Sequence, residues 1–352
     1  MKKNRDVSIL DVTIRDGSYA INYQYTPEQV GRIAGALDRA GVDFIEVSHG
    51  CGLGARENLK IEAAASDAEY VEAAKLATGR AKVGVIAGPA PVTLPKDIDA
   101  VIDSVDFIRF AANCDNPRSI EPNLSYALKR RPDLKVFMQL MRSTRRPKSV
   151  LIESGRKAQE MGIEIMYLVD TVGHFLPWEV EEIVRELASE LNMGVGFHGH
   201  NNLGLALANT LAAVRSGACS VDASLRGMGR AGGNAQLEAL ASLLSRLGSA
   251  DRLDLDALLA AGDELIAPMM PPRRGIAAED VLTADANLDL YPLPFYRMLA
   301  EHAGVPFEDL VRALGSDPAL MEAGIDEMER ALAKLGADTE HAFAAVGIEK
   351  KK

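Results

Sequence analysis

The hydrophobic and polar positions along the first 250 residues alternate between two periods. Short apolar runs fit buried strands, and each is followed by a longer interval in which apolar residues recur at helical spacing. The apolar runs are residues 7–13, 43–48, 81–87, 105–110, 134–140, 164–169, 194–198 and 218–223. This order predicts an α/β fold with a parallel sheet, and eight such strands close a (β/α)₈ TIM barrel in about 250 residues.

The intervals between the strands carry helix signals. Thr26 is placed as an N-cap, with Pro27 at the first helical position. The predicted helices are residues 27–40, 67–77, 148–161, 177–191, 204–216 and 234–247. An open doubly wound sheet is the alternative architecture, but the GxGxxG sequence that often follows the first strand of a dinucleotide-binding fold is missing here.

The pattern changes after about residue 250. Helices are predicted over residues 254–266, 295–303, 307–314 and 318–335, with no clear strand between them. Residues 267–275 are rich in proline and read as a loop. We therefore predict a TIM-barrel catalytic domain over residues 1–250 and a helical C-terminal extension over residues 251–352.

Charge and composition restrict the function classes. The net charge of −11 argues against a nucleic-acid partner, although a local metal ion or arginine would still admit an anionic substrate. Apolar runs stay shorter than the roughly 18 residues of a membrane span. The three cysteines lie far apart and predict reduced thiols rather than a cluster site. We expect a soluble, cytoplasmic enzyme.

Two histidines end the seventh predicted strand. In an extended segment, residues i and i+2 point the same way, so His198 and His200 can reach one point. Two neutral imidazoles, with an oxygen ligand from elsewhere, describe a site for a first-row divalent metal. The alternative is a pair of solvent-facing or hydrogen-bonded core histidines.

The third ligand is expected from the end of the first strand. Only strand 8 separates strands 1 and 7 in a closed barrel, so Asp16 can join the two histidines. Arg15 beside it carries a fixed positive charge for a substrate carboxylate or a developing enolate oxygen. The alternative is that Arg15 and Asp16 form a structural ion pair.

Further polar groups gather at other strand ends. Asp170 and Thr171 follow strand 6, and Glu46 and His49 follow strand 2. The glycine-rich residues 227–234 after strand 8 lead into a helix and could present backbone N–H groups to an anion. A tight loop that needs glycine for its geometry explains the same sequence.

Three motifs together resemble a known family. They are Arg15-Asp16-Gly17, the HGHNN sequence at 198–202 and the GMGRAGGN sequence at 227–234. They resemble the family that contains 3-hydroxy-3-methylglutaryl-CoA lyase, isopropylmalate synthase and 4-hydroxy-2-oxovalerate aldolase, over residues 7 to about 250. The resemblance implies that Asp16, His198 and His200 bind Mn²⁺ or Mg²⁺, with Asn234 close to the metal, and that Arg15 assists an enolate.

Details of the motifs favour the aldolase branch. Ser18-Tyr19 stands where acyl-CoA condensing members carry Glu-Gln, and residues 227–234 lack the cysteine of the lyase. Val169 replaces the lysine of biotin-dependent carboxyltransferases, which argues against carboxyl transfer. The branch implies a divalent-metal aldolase that joins or splits a pyruvate-like 2-oxo acid and an aldehyde. Contacts to the substrate are expected from Arg15, Asp170, Thr171 and His49.

One departure from the branch affects the proton chemistry. Tyr19 stands where these aldolases usually carry a catalytic histidine, and a phenol has a reference pKa near 10 against about 6.5 for imidazole. The proton must therefore move through Tyr19, through a water on the metal or through another residue. Tyr291 falls about where the family has a supporting tyrosine. The aldehyde could be larger or more polar than acetaldehyde.

Two other functions stay open on the sequence. One is a Claisen-type enzyme that condenses an acyl-CoA with a 2-oxo acid. The other is a partner-dependent, non-catalytic subunit, because relatives in the aldolase branch pair with an acylating aldehyde dehydrogenase. Retention of Arg15, Asp16, His198 and His200 favours an enzyme. We expect that dehydrogenase as a partner, and a homodimer.

Overall fold

The computed structural model describes residues 6–270, 276–317, 320 and 323–348. The chain divides into two compact units, Met1–Gly275 and Ile276–Lys352. Within these described ranges, no helix combines the length and apolar character needed to cross a membrane.

Eight parallel strands form a closed barrel in chain order, which confirms the predicted TIM barrel. Each observed strand overlaps a predicted one. The strands are β1 (Ser8–Asp11), β2 (Phe44–Glu46), β3 (Lys82–Ala87), β4 (Phe107–Asn113), β5 (Lys135–Met141), β6 (Ile165–Asp170), β7 (Gly194–Gly199) and β8 (Ser220–Ala223).

Aromatic rings fill the part of the barrel interior that lies toward the amino ends of the strands. Phe107, Phe137 and Tyr167 pack there with Leu10, and the Phe107 and Phe137 ring centroids lie 5.2 Å apart. Glycine on a neighbouring strand makes the room for a ring. A Cβ atom on Gly84 would lie 2.5 Å from the Phe107 ring. The barrel is therefore a packed core whose free space lies at the strand ends.

Ten α-helices of the described residues belong to the first unit. Thr26 caps the first of them as predicted, because its hydroxyl accepts from the Gln29 N–H at 3.2 Å. The helices are α1 (Pro27–Arg39), α2 (Ala55–Asn58), α3 (Asp67–Ala77), α4 (Pro95–Asp99), α5 (Glu121–Arg130), α6 (Lys148–Glu160), α7 (Pro177–Glu190), α8 (Ala206–Ser216), α9 (Leu237–Leu247) and α10 (Leu255–Ala261).

The first unit continues past residue 250. The predicted helix over residues 254–266 is α10 followed by a π-helical turn, Gly262–Ile266. Arg252 ties this segment to the start of the barrel, because its guanidinium donates to Asp43 Oδ1 at 2.8 Å and to the Val7 carbonyl at 2.7 Å. The division of the chain into a catalytic domain and a helical region at residue 250 stays a prediction.

The second unit is helical in its described residues. Leu299, Leu310, Leu332 and Phe343 lie in its own hydrophobic core. Its helices are α11 (Ala278–Asp285), α12 (Leu293–His302), α13 (Phe307–Gly315), α14 (Ile325–Lys334) and α15 (Thr339–Ala345). The predicted loop at residues 267–275 and the predicted helix at 318–335 lie partly outside the described residues, at 271–275, 318–319 and 321–322.

Candidate active site

Three predicted ligands converge at the carboxyl ends of the strands. Asp16 lies in the turn after β1, and His198 and His200 lie at the end of β7. One ligand atom from each residue lies within 4.8 Å of the others. All three side chains are buried. A carboxylate with two imidazoles is a donor set for a first-row divalent metal.

The hydrogen bonds of both imidazoles turn their Nε2 atoms toward each other. His198 Nδ1 lies 2.8 Å from Asp222 Oδ2, and His200 Nδ1 lies 3.2 Å from the Gly233 carbonyl oxygen. Both partners are acceptors, so both Nδ1 atoms carry the proton when the rings are neutral. The two Nε2 atoms are then bare lone-pair donors 3.4 Å apart, which cannot bond each other. A cation between them would satisfy both.

Asn234 lies beside the proposed ligands Asp16 and His200. An isolated β-bridge pairs it with His200, and its Nδ2 donates to Asp16 Oδ2 at 2.8 Å and to the Met228 carbonyl at 3.1 Å. These two acceptors fix the orientation of the amide. Its buried Oδ1 has no hydrogen-bond partner among the described residues. An oxygen in this position fits a fourth ligand.

Asp16 is held as a carboxylate. Burial alone would raise its pKa, but the Arg15 charge is the largest opposing cause, and the pKa of Asp16 lies well below its usual value. Oδ1 accepts from Arg15 Nη1 at 2.8 Å, and Oδ2 also accepts from the Arg230 backbone N–H at 3.2 Å. Burial lowers the pKa of His200 to about 3, so this ring is neutral and able to bind a metal.

Arg15 offers a charged donor beside the ligands. Its Nε donates to Glu46 Oε2 at 2.7 Å, while Nη1 donates to Asp16. Burial opposes its charge, but Asp16 and Glu46 outweigh burial and raise the pKa of Arg15. Within the part of the chain that the structure describes, the buried Nη2 has no partner. This N–H group is placed for a substrate oxygen.

A charged layer crosses the barrel interior beneath these groups. The Arg109 guanidinium donates to both oxygens of Glu46 at 2.7 Å and to Asp222 Oδ2 at 2.6 Å, and it lies 4.9 Å from the centre of the Tyr167 ring. We call Glu46, Arg109, Tyr167 and Asp222 the charged layer. It links Arg15 on one side to His198 on the other.

The sequence analysis missed Arg109 and Asp222. Arg109 interrupts the apolar run FIRF in β4, and Asp222 interrupts SVDA in β8. A charged residue inside a predicted buried strand is a signal in itself, because burial of a charge is costly without a partner. The sequence alone does not say which partner the charge has across the barrel.

The five buried side chains joined by ion pairs at this site carry a net negative charge. Arg15 and Arg109 contribute two positive charges, and Asp16, Glu46 and Asp222 contribute three negative ones, which leaves −1. A divalent cation would change this sum to +1, and a monoanionic substrate would then bring it to zero. The residues therefore fit a divalent metal together with an anionic ligand.

Tyr19 lies in a short 3₁₀ helix, Gly17–Ile21, next to Asp16. Its hydroxyl donates to Cys51 Sγ at 3.5 Å, and the Tyr23 hydroxyl lies 3.4 Å from the same sulfur. Burial raises the pKa of the Tyr19 phenol well above its ordinary value, and the nearby Cys51 and Asp16 raise it further. Tyr19 is thus a phenol that holds its proton at neutral pH.

The other predicted substrate residues take different places. Both carboxylate oxygens of Asp170 accept backbone N–H groups, from His174 at 2.8 Å and Phe175 at 3.1 Å, so the side chain shapes the loop after β6. The Thr171 carbonyl accepts from Arg230 Nη2 at 3.1 Å, and this contact connects it to the loop that binds Asp16.

The His49 side chain contacts Tyr23 and Cys51. The His49 ring stacks on Tyr23 at 4.2 Å, and its Nδ1 accepts from the Cys51 N–H at 3.1 Å. Burial lowers the pKa of His49 to about 4. Tyr291 belongs to the second unit, and its predicted supporting role stays a prediction.

Comparison with known proteins identifies one matching family model and several similar enzymes. The HMGL-like family model matches residues 6–265. An oxaloacetate decarboxylase of Mycobacterium tuberculosis is 36% identical over 88% of this chain and 91% of its own length. A 4-hydroxy-2-oxovalerate aldolase of Geobacillus thermodenitrificans is 36% identical over 90% of this chain and 92% of its own length.

Solved structures support the fold. The carboxyl transferase domain of Rhizobium etli pyruvate carboxylase, solved with 3-hydroxypyruvate, superimposes with a TM-score of 0.75. The match covers 95% of this chain and 61% of that one at 16% identity. At this identity the likeness concerns the architecture alone.

Proposed function

This chain belongs to the HMGL-like family, and from that premise we propose that it is a class II aldolase for 4-hydroxy-2-oxo acids. It is a carbon–carbon lyase, as its relatives are. The bond concerned joins C3 and C4 of a 2-oxo acid, and its cleavage leaves the enolate of a pyruvate-like acid. The reverse reaction adds that enolate to an aldehyde.

One observation carries this proposal. The bare Nε2 atoms of His198 and His200 and the Asp16 carboxylate converge beside the buried Arg15 guanidinium. A divalent cation such as Mn²⁺ or Mg²⁺, held by these three residues and Asn234, would supply a Lewis acid for the keto oxygen of the substrate.

Arg15 then acts on the charge that develops. Its Nη2 N–H faces no protein acceptor in the described residues, and its charge is held by Glu46 and Asp16 on the other nitrogens. A preorganised donor of this kind stabilises an enolate oxygen more than a neutral carbonyl oxygen. Arg15 therefore favours the transition state over the bound substrate.

Tyr19 supplies a proton rather than accepting one. In aldol cleavage the C4 hydroxyl proton passes to solvent water, the C3–C4 electron pair passes to the enolate and the aldehyde leaves. C3 must then receive a proton. The raised pKa keeps the Tyr19 phenol protonated, so it holds a proton that it can donate to C3 or use to hydrogen-bond the departing aldehyde oxygen, and it is no base in its resting state.

Decarboxylation of oxaloacetate is the second candidate. It breaks the same C3–C4 bond, but the carbon leaves as CO₂ and no hydroxyl proton has to be removed. A site with a proton donor at Tyr19 meets this requirement without a further base. The decarboxylase relative, at 36% identity over most of both chains, gives this candidate independent support.

Product analysis separates the candidates. The purified enzyme is incubated with Mn²⁺ and either oxaloacetate, or pyruvate with a panel of aldehydes, with and without EDTA. EDTA-sensitive aldol products would support the aldolase, and EDTA-sensitive CO₂ release above the metal-only background would support the decarboxylase. Free thiol released from an acyl-CoA supplied with a 2-oxo acid would instead place the chain with the condensing enzymes.

Partner and location rest on the sequence alone. We retain the expectation of a homodimer, of a cytoplasmic location and of an acylating aldehyde dehydrogenase that receives the aldehyde. Co-purification of the dehydrogenase with this chain at a fixed ratio would support the pairing.

A further inference from the structure

A second layer of inward-pointing side chains lies above the charged layer, toward the carboxyl ends of the strands. Residues of the charged layer come from the even strands β2, β4, β6 and β8. Neighbouring strands in such a barrel are offset along its axis by about one residue. With this offset, the observed register places the next layer on the odd strands, and its members are Val12, Ile86, Gln139 and His198.

Gln139 is thus in the layer of a proposed metal ligand. It lies on β5, two strands away from His198 on β7 in the closed barrel. Phe137, two residues earlier on the same strand, points into the barrel core, and Gln139 therefore points inward as well. Its side chain faces the space above the charged layer.

The Gln139 amide nitrogen is a buried donor for which the described residues provide no acceptor. The residue is 3% exposed, and its Nε2 has no hydrogen-bond partner in residues 6–270 or in the rest of the described chain. A buried donor without a partner is destabilising, and native proteins rarely keep one without a reason. A bound acceptor would therefore remove the energetic cost of this unpaired amide nitrogen.

The layer itself supplies no such acceptor. Val12 and Ile86 are hydrocarbon side chains. The His198 nitrogens are directed to Asp222 on one side and to His200 on the other. An anion bound above the charged layer, next to Arg15 and the proposed metal, would bring an acceptor oxygen to Gln139.

We infer that Gln139 is a substrate-binding residue, whose amide N–H donates to an oxygen of the bound 2-oxo acid. This inference rests on the proposed function, because it takes the 2-oxo acid as the ligand above the charged layer. A neutral amide binds the oxygen without adding to the charge that Arg15 and the metal already provide. Gln139 therefore selects for an acceptor oxygen at one position of the substrate.

The test is binding of oxamate, an unreactive 2-oxo acid analogue, to the Mn²⁺-loaded enzyme by calorimetry. Gln139→Leu keeps the size and removes the donor, and we expect the Kd to rise about 10- to 100-fold. Gln139→Glu places a negative charge there and is expected to weaken binding further. Ile86→Val, in the same layer, is the matched control for a packing change and should leave the Kd unchanged.

A readout without substrate accompanies the binding test. Gln139→Leu removes an unsatisfied buried donor, so the melting temperature of the ligand-free protein should stay equal or rise, and the Mn²⁺ affinity should not change. An unchanged oxamate Kd in a folded, Mn²⁺-loaded Gln139→Leu protein would overturn the inference alone. Failure of the unaltered enzyme to bind oxamate with Mn²⁺ would instead overturn the proposed function.

Discussion

His198 and Asp222 form a pair beneath the candidate metal site, with 2.8 Å between His198 Nδ1 and Asp222 Oδ2. The same Asp222 oxygen accepts from Arg109 at 2.6 Å. Burial would raise the pKa of Asp222, but Arg109 and His198 outweigh burial and keep it below its ordinary value. A carboxylate in this position fixes the histidine tautomer and leaves Nε2 for a metal.

Replacement of Asp222 tests this support. Asp222→Asn removes the anionic acceptor of His198 and a partner of the buried Arg109, so we expect the Mn²⁺ affinity to fall about 10- to 100-fold. Stability should fall as well, because Arg109 keeps a partly uncompensated charge. Metal titration and thermal unfolding measure the two effects. Asp263→Asn, an exposed partner of Arg226, is the control, and an equal loss in both variants would refute the role of Asp222.

Gly229 keeps the loop after β8 close to the ligands. A Cβ atom there would lie 2.4 Å from Asn234 Nδ2 and 2.7 Å from Asp16 Oδ2. We expect Gly229→Ala to displace this loop and to weaken Mn²⁺ binding, while Gly79→Ala, whose Cβ would meet its nearest atom at 3.9 Å, should not. Calorimetric titration of both variants makes the comparison. Full Mn²⁺ affinity in Gly229→Ala would show that the loop does not support the site.

Tyr19 is expected to act after the metal has bound. Tyr19→Phe removes the phenolic proton, so turnover should fall about 10²- to 10⁴-fold. The Mn²⁺ affinity should stay the same, because the three proposed ligands are intact. Tyr126→Phe, which removes an exposed hydroxyl bonded to Asp99, is the control for loss of a tyrosine hydroxyl. Unchanged turnover in Tyr19→Phe would assign the proton transfer to another group.

His49 should make the stability of the protein depend on pH. Burial lowers its pKa in the folded state to about 4, against about 6.5 in the unfolded chain. The unfolded state therefore binds more protons between these values, and the free energy of unfolding falls as pH drops from 6.5 to 4, by up to about 1.4 kcal/mol per pH unit. Urea unfolding with EDTA present should show a shallower slope for His49→Asn. An identical slope would mean that His49 protonates normally in the fold.

The sequence was sufficient for the barrel and for the metal-ligand candidates. Apolar runs mark the strands because both faces of a parallel barrel strand are buried. His198 and His200 were identifiable because alternation along a strand sets two residues on one side. Asp16 followed from the closure of the barrel, which brings the first strand next to the eighth.

Contacts across the barrel could not be predicted in the same way. Arg109 meets Glu46 and Asp222, which are 63 and 113 residues away in the chain. These pairs depend on how neighbouring strands are aligned with each other. The apolar run that identifies a strand does not specify this alignment. Gln139 could not be identified from the sequence either. One glutamine in the apolar run VFMQLM does not show which space its side chain faces.

The role of Asp170 is not fixed by its position at a strand end. Its predicted contact to the substrate stays a prediction, and in the structure both of its oxygens accept backbone N–H groups of the next loop. Burial raises the pKa of Asp170 to about 7, against the opposing effect of these hydrogen bonds. Position along a strand indicates where a side chain lies, whereas its role depends on neighbours that only the folded loop supplies.

Hydrogen exchange at C3 of pyruvate isolates the enolate step that aldol cleavage and decarboxylation share. Pyruvate is incubated in D₂O with the enzyme and Mn²⁺, the metal is removed by chelation at each time point, and the methyl signal is followed by proton NMR. We expect loss of the signal with the metal-loaded enzyme, no loss when EDTA is present from the start, and none with Asp16→Asn. Retention of the methyl signal by an enzyme shown to hold Mn²⁺ and to bind pyruvate would contradict the proposed function.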